Sequence, residues 1–199
     1  MVKRKKGYYR INGNEYPSVT TVLQIINKPA LMFWYGKLGT QEATRQGKQA
    51  TGLGSRVHKR IEQHFADKQY SVRGKEQQPM TAFFSWLAEH DVDCSISEHT
   101  VHSDTYEYAG TLDFLGTIDG KRVIADFKTS ARIYPEVQLQ LQAYRVAHEE
   151  MGGSVIEEMH VVRLDKVTGK YQTKIYLPDE GVFCAFKNAM DLWKWKYKK

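Results

Sequence analysis

Cysteine is nearly missing from this chain: Cys94 and Cys184 are the only two. Two thiols cannot build a disulfide framework, a four-thiolate zinc site or an iron–sulfur cluster held by cysteines alone. No iron–sulfur cluster is expected, and a reducing compartment is the simplest setting. No apolar run approaches the roughly 20 residues of a membrane span, and the start lacks the apolar region of a signal peptide. A cytoplasmic protein without a membrane partner is therefore expected, in a host cytoplasm if the source is viral. Neither an internal repeat nor a domain linker is visible, so residues 1–199 read as a single domain with basic tails at 2–6 and 194–199.

The rest of the composition is that of a folded chain. Hydrophobic residues make up 41% and charged residues 26% of its 199 positions, enough for a proper core. The net charge of +6 favours an anionic partner, nucleic acid first and acidic lipid second. Part of that charge sits in Val2-Lys-Arg-Lys-Lys6 and Lys194-Trp-Lys-Tyr-Lys-Lys199, which read equally well as solvated tails.

The most informative stretch runs from Gly110 to Thr129. Asp119-Gly120 between two alternating apolar runs signals a hairpin, because both central residues of a type I′ turn need positive φ. A two-residue loop sets Ile118 against Lys121, hence Phe114 against Ala125, Leu112 against Phe127 and Asp113 against Asp126. Directly opposed carboxylates would lie about 4.5–5.5 Å apart at Cβ and repel. Lys128 shares the face of Asp126, while Ala125 and Phe127 turn the other way with Leu112 and Phe114. Two readings stay open on spacing alone. Either the charged face is solvated, or a divalent cation holds the two carboxylates together, with magnesium or manganese the oxygen-seeking choice.

Taken in order, residues 7–16 read as a short hairpin turning at Asn12-Gly13-Asn14. Ser18 or Thr20 then caps a helix that Pro29 ends. Phe33-Trp34-Tyr35 either stacks on bases or packs in the core, and core is favoured. From Gly54 a helix is predicted on the spacing of Val57, Ile61 and Phe65, with His58 and Glu62 on a neighbouring stripe. His58 is there an ordinary helical histidine or a metal ligand. Residues 67–79 form a polar connection, the best candidate for a mobile loop, with a short strand over Tyr70 to Arg73. A core helix follows over Met80 to His90. Cys94 to Val101 alternates as a strand carrying Glu98, which either faces solvent or adds a third carboxylate beside Asp113 and Asp126. A helix from Glu136 carries Gln140 and Tyr144 on one face, stopped at Met151-Gly-Gly153. Two strands, Glu158 to Leu164 and Tyr171 to Leu177, precede a last helix from about Pro178 that carries Phe183, Phe186, Met190 and Trp193.

Gly54 to His58 with Glu62, Glu98, Gly110-Thr-Leu-Asp113, Asp126-Phe-Lys128 with Thr129-Ser130, and Gln140-Leu-Gln-Ala-Tyr144 together resemble the PD-(D/E)xK nuclease superfamily in its RecB-like branch. The entry at Pro17-Ser-Val-Thr20 and the stretch through Asp126-Phe-Lys-Thr-Ser130 look most like mitochondrial genome maintenance exonucleases and related phage enzymes. The resemblance implies an α/β, restriction-endonuclease-like core: a central mixed β-sheet flanked by helices. It implies a magnesium or manganese ion held by His58, Asp113, Asp126 and the Phe127 carbonyl, with Glu98 joining through water. Lys128 would orient the attacking water or stabilise the transition state, and Gln140 and Tyr144 would steady the site or grip the strand. Arg56, Lys59 and Tyr144 are the candidate nucleic-acid contacts. The expected activity is hydrolysis of DNA phosphodiesters, exonucleolytic on single-stranded or frayed ends and without an obligate protein partner. The alternatives are a flap or junction endonuclease of the same fold, or a binding module that has lost the chemistry.

Overall fold

The structure is a computed structural model that describes residues 3–5, 7–26 and 28–197. Strands β1 (Lys3–Lys5), β2 (Tyr8–Ile11) and β3 (Asn14–Pro17) form a small antiparallel sheet. Its hairpin turns at Asn12 and Gly13, both at positive φ, so Asn14 belongs to the strand rather than to the turn. Three residues of the expected basic tail are thus a paired strand, Lys3 opposite Arg10 and Lys5 opposite Tyr8. Val2 and Lys6 lie outside the described residues.

The Ser18 hydroxyl accepts the Thr21 N–H at 3.0 Å and caps α1 (Val19–Val22), after which Leu23–Ile25 tightens into a 3-10 turn. Pro29 does not end this helix but begins the next, α2 (Pro29–Leu38). At the first helical position its missing N–H costs nothing and its fixed φ is already helical. The aromatic trio on α2 is not core: Phe33 is 79% exposed, Tyr35 is exposed and Trp34 is half-buried. Helix α3 (Thr40–Phe65) spans 26 residues, far more than the segment from Gly54 onwards. Its first half was hidden because Gly47 and Gly52 each weaken a helix by about 1 kcal/mol against Ala, and only Ala43 is buried before Leu53.

Residues 70–73 form no strand; the Tyr70 hydroxyl meets His64 Nδ1 at 3.0 Å, and a 3-10 turn over Gly74–Glu76 leads into α4 (Gln77–Glu89). Then come β4 (Val92–Ser103), β5 (Tyr108–Ile118), β6 (Lys121–Lys128), α5 (Glu136–Glu150), β7 (Glu158–Leu164), β8 (Tyr171–Tyr176) and α6 (Glu180–Tyr197). Lys194 and Lys196 therefore belong to α6, not to a tail, while Lys198 and Lys199 lie outside the described residues.

The five strands β4 to β8 lie side by side in chain order. All neighbours are antiparallel except β6 and β7, whose parallel pairing needs the crossover through α5. The chain is thus α/β, with a mixed central sheet flanked by helices. One face packs on α1, α5 and α6 through Ile124, Val161, Leu141 and Phe186, and the other on α3 and α4 through Val123, Ala125, Phe127 and Phe83.

The β5–β6 hairpin turns at Asp119 and Gly120, with φ of 51° and 80°, and holds the anticipated register from Ile118 opposite Lys121 to Phe114 opposite Ala125. There the ladder stops. Asp113 and Asp126, and Leu112 and Phe127, are not ladder partners, because β5 runs on against β4 while β6 runs on against β7. Leu112 and Phe114 also part company, Leu112 packing in the α5 layer and Phe114 in the α3 layer. On β4, Glu98 stands between the pairs Ser97 opposite Phe114 and His99 opposite Leu112, at a φ of 52°. Irregularities of this kind re-aim side chains, and this one lies beside Asp113.

Candidate metal and catalytic site

His58 is carried by α3, which is fixed against the sheet by Val57 and Ile61, 0% and 2% exposed. Its Nδ1 lies 3.1 Å from Asp113 Oδ1. Burial alone would discharge the ring, but the Asp113 carboxylate overrides it and raises the His58 pKa to about 9. Burial works equally against the Asp113 charge. The His58 and Lys128 cations and the Phe127 N–H overcome it and hold that carboxyl below its usual range. The second oxygen, Asp113 Oδ2, accepts the Phe127 backbone N–H at 2.8 Å.

Glu98 completes the cluster from β4. Ligand atoms of His58, Glu98 and Asp113 all lie within 4.8 Å of one another, so these three could hold a metal ion. Asp126, expected among the ligands, is engaged by Lys128 and Gln140. Its Oδ1 accepts from the Lys128 ammonium and from Gln140 Nε2, each at 2.8 Å. Its Oδ2 is buried and lies 2.7 Å from Lys128 Nζ without an aligned hydrogen bond of its own. Burial first, and repulsion from Asp113, raise the Asp126 pKa against the pull of Lys128. Burial disfavours the Lys128 charge too, yet Asp126 and Asp113 together keep it cationic. The His58 imidazole with the Glu98 and Asp113 carboxylates, beside the buried Asp126 Oδ2, fits a hard divalent cation.

Gln140 Nε2 also lies 3.2 Å from the Tyr144 hydroxyl, so α5 presents a chain of polar contacts ending on Asp126. Tyr144 is 3% exposed, and burial, with Asp126 nearby, pushes its phenol well above the ordinary value. Gly110 makes room for it: a Cβ there would stand 2.2 Å from Tyr144 Cε1. The other candidate DNA contacts are engaged in ion pairs. Arg56 Nε meets Glu76 Oε1 at 2.9 Å, and Lys59 Nζ meets Glu62 Oε2 at 2.9 Å. Glu76, 6% exposed and shared with Arg60, escaped the sequence reading, since a lone acid in a polar connection carries no signal of its partners. The role of Gly110 in seating Tyr144 was likewise invisible without the packing.

No protein-family model matches the chain, and no curated protein matches it. Among solved structures it is similar to an alkaline exonuclease, LHK-Exo, from Laribacter hongkongensis. The TM-score is 0.49 at 13% identity, over 91% of this chain and 87% of that one. LHK-Exo in complex with dAMP gives 0.44 at 12% identity, over 71% and 77%. The protein SSO0001 gives 0.42 at 12%, over 88% and 80%. Among the described residues, no helix is long and apolar enough to cross a membrane.

Proposed function

We propose that this protein is a magnesium- or manganese-dependent deoxyribonuclease of the PD-(D/E)xK type, with residues 1–199 acting as one nuclease domain and DNA ends as substrate. The observation that carries the reading is the convergence of His58, Glu98 and Asp113 within 4.8 Å, beside the buried Asp126 and its half-buried partner Lys128. A pure binder of phosphate has no use for three acids that repel its ligand. A hydrolase needs them to gather positive charge where a phosphodiester's negative charge builds up.

His58, Glu98 and Asp113 would hold the cation, and Asp126 would join once Lys128 releases it. When bound, the cation lowers the pKa of a coordinated water and offsets charge on the phosphate. Lys128, kept cationic by two carboxylates, is free to orient the attacking water or to neutralise the pentavalent transition state. Gln140 and Tyr144 fix the rotamer of Asp126, and the buried Tyr144 ring acts through that contact rather than on the strand. Arg56 and Lys59, with side chains 52% and 57% exposed, can exchange their acidic partners for phosphates.

The test is digestion of linear and circular single-stranded DNA, each with magnesium, manganese or chelator. An exonuclease degrades the linear strand in metal, leaves the circle whole and is silent in chelator. Cleavage of the circle would make it an endonuclease, and cleavage of neither would defeat the proposal.

A further inference from the structure

We infer that the cavity beside the site is a stacking pocket for unpaired bases of the strand being cleaved; this rests on the nuclease reading above and adds the form of its substrate. The cavity, about 990 Å³, opens between α2, the first half of α3, the segment after β6 and the start of α5. It does not contain the carboxylates, but it shares their supports. Ala131 in its wall stands three residues beyond Lys128, and Leu139 immediately precedes Gln140. Thr51 lies two turns before His58 on α3, about 10 Å along the helix. Between them a Cβ on Gly54 would stand 3.5 Å from Thr129 Oγ1, so α3 and the segment after β6 close together at that point. A phosphodiester held at His58 and Asp113 thus brings its neighbouring bases to the cavity mouth.

The lining suits bases. Trp34 and Tyr134 offer aromatic surface, Leu139 an apolar wall, and Thr51 and Glu136 polar groups for base edges. The Arg132 guanidinium sits 5.0 Å from the Tyr134 ring centroid, a cation–aromatic arrangement that base stacking extends. Lys28 pairs with Glu136 at 2.8 Å, and the other cation of the lining, Arg132, lies against the Tyr134 ring. The volume is at the upper end for small-molecule pockets, with room for more than one base. Stacked duplex hides its base faces, so the pocket selects single strands and frayed ends.

The experiment measures fluorescence anisotropy in EDTA, where cleavage plays no part. Fluorescein-labelled oligothymidine is compared with an abasic strand of equal length and charge. Oligothymidine should bind about tenfold tighter or more. Trp34→Ala and Tyr134→Ala should each erase most of that preference, and Trp34→Phe should keep it. Arg132→Ala, which removes only an exposed side chain, should reduce it and serves where an aromatic variant melts early. Equal wild-type affinity for the two strands would overturn the pocket, as would a preference undiminished in every folded variant. An apolar dye bound in the cavity that excess oligothymidine fails to displace would overturn it in favour of an apolar partner. Cleavage in magnesium without base-dependent binding removes the pocket and leaves the nuclease; base-dependent binding with no cleavage in either metal does the reverse.

Discussion

Asp113 accepts the Phe127 backbone N–H at 2.8 Å just where the β5–β6 ladder ends, so a side chain takes the acceptor's place that the opposing strand has given up. Asp113 is thereby a structural acceptor and, in the proposed mechanism, a metal ligand, and the two roles separate by substitution. Asp113→Ala leaves a buried donor unpaired and should cost about 1–3 kcal/mol, read as a lower urea midpoint. Asp113→Asn keeps an acceptor oxygen for the Phe127 N–H but loses the charge that pairs with His58, so it should recover only part of that stability while losing metal-dependent cleavage.

Lys128 and Asp126 should fail differently when each is removed. Asp126→Ala and Lys128→Ala are each expected to lower cleavage by about 100-fold or more, with unchanged circular dichroism. Manganese affinity, followed by isothermal titration, should fall in Asp126→Ala and hold or rise in Lys128→Ala, because the lysine competes with the cation for the same carboxylate. Full activity in either purified variant would remove that residue from the chemistry.

Gly110 should tolerate no side chain. A Cβ placed 2.2 Å from the Tyr144 ring must displace a fully packed phenol, and overpacking of this kind costs about 1–3 kcal/mol. Gly110→Ala should therefore lower the thermal midpoint and reduce activity by shifting Gln140 off Asp126. Combining it with Tyr144→Phe should relieve little, since the ring remains, whereas Tyr144→Ala should restore stability in part.

Stability in chelator should depend on pH with opposite signs on the two sides of neutrality. His58 has its pKa raised in the folded state, to about 9. Its contribution is complete below the unfolded value of about 6.5 and is lost as the pH climbs through 9. His58→Gln should flatten that alkaline limb. His99, His148 and His160 are lowered, burial being the leading cause for each. They bind fewer protons folded than unfolded, so stability falls as the pH drops below about 6.5. Urea midpoints at several pH values should trace a dome.

The sheet was largely legible in the sequence because its signals are local: Asp119-Gly120 set the hairpin, and β7 and β8 read as two strands ahead of the last helix. What escaped was non-local. The ladder rule carried Asp113 onto Asp126, yet β5 follows β4 and β6 follows β7 beyond Phe114, and no two-strand argument contains the other two strands. Glu98 was noticed as an acid, but its left-handed backbone, beside Asp113, is a property of the pairing. Helices α2 and α3 were obscured by Pro29 and by glycines that usually mark loops. The exposure of Phe33 depends on what α2 leaves uncovered, which composition does not record.

In the proposed mechanism His58, Glu98 and Asp113 hold a catalytic cation, and Asp126 joins them when Lys128 releases it. A manganese-soaked crystal measured at the manganese absorption edge tests it most directly. One anomalous peak is expected within bonding distance of Asp113 and His58, with Asp126 swung towards it and Lys128 withdrawn. A map with no peak there, and with the Asp126–Lys128 pair undisturbed at saturating manganese, would contradict it.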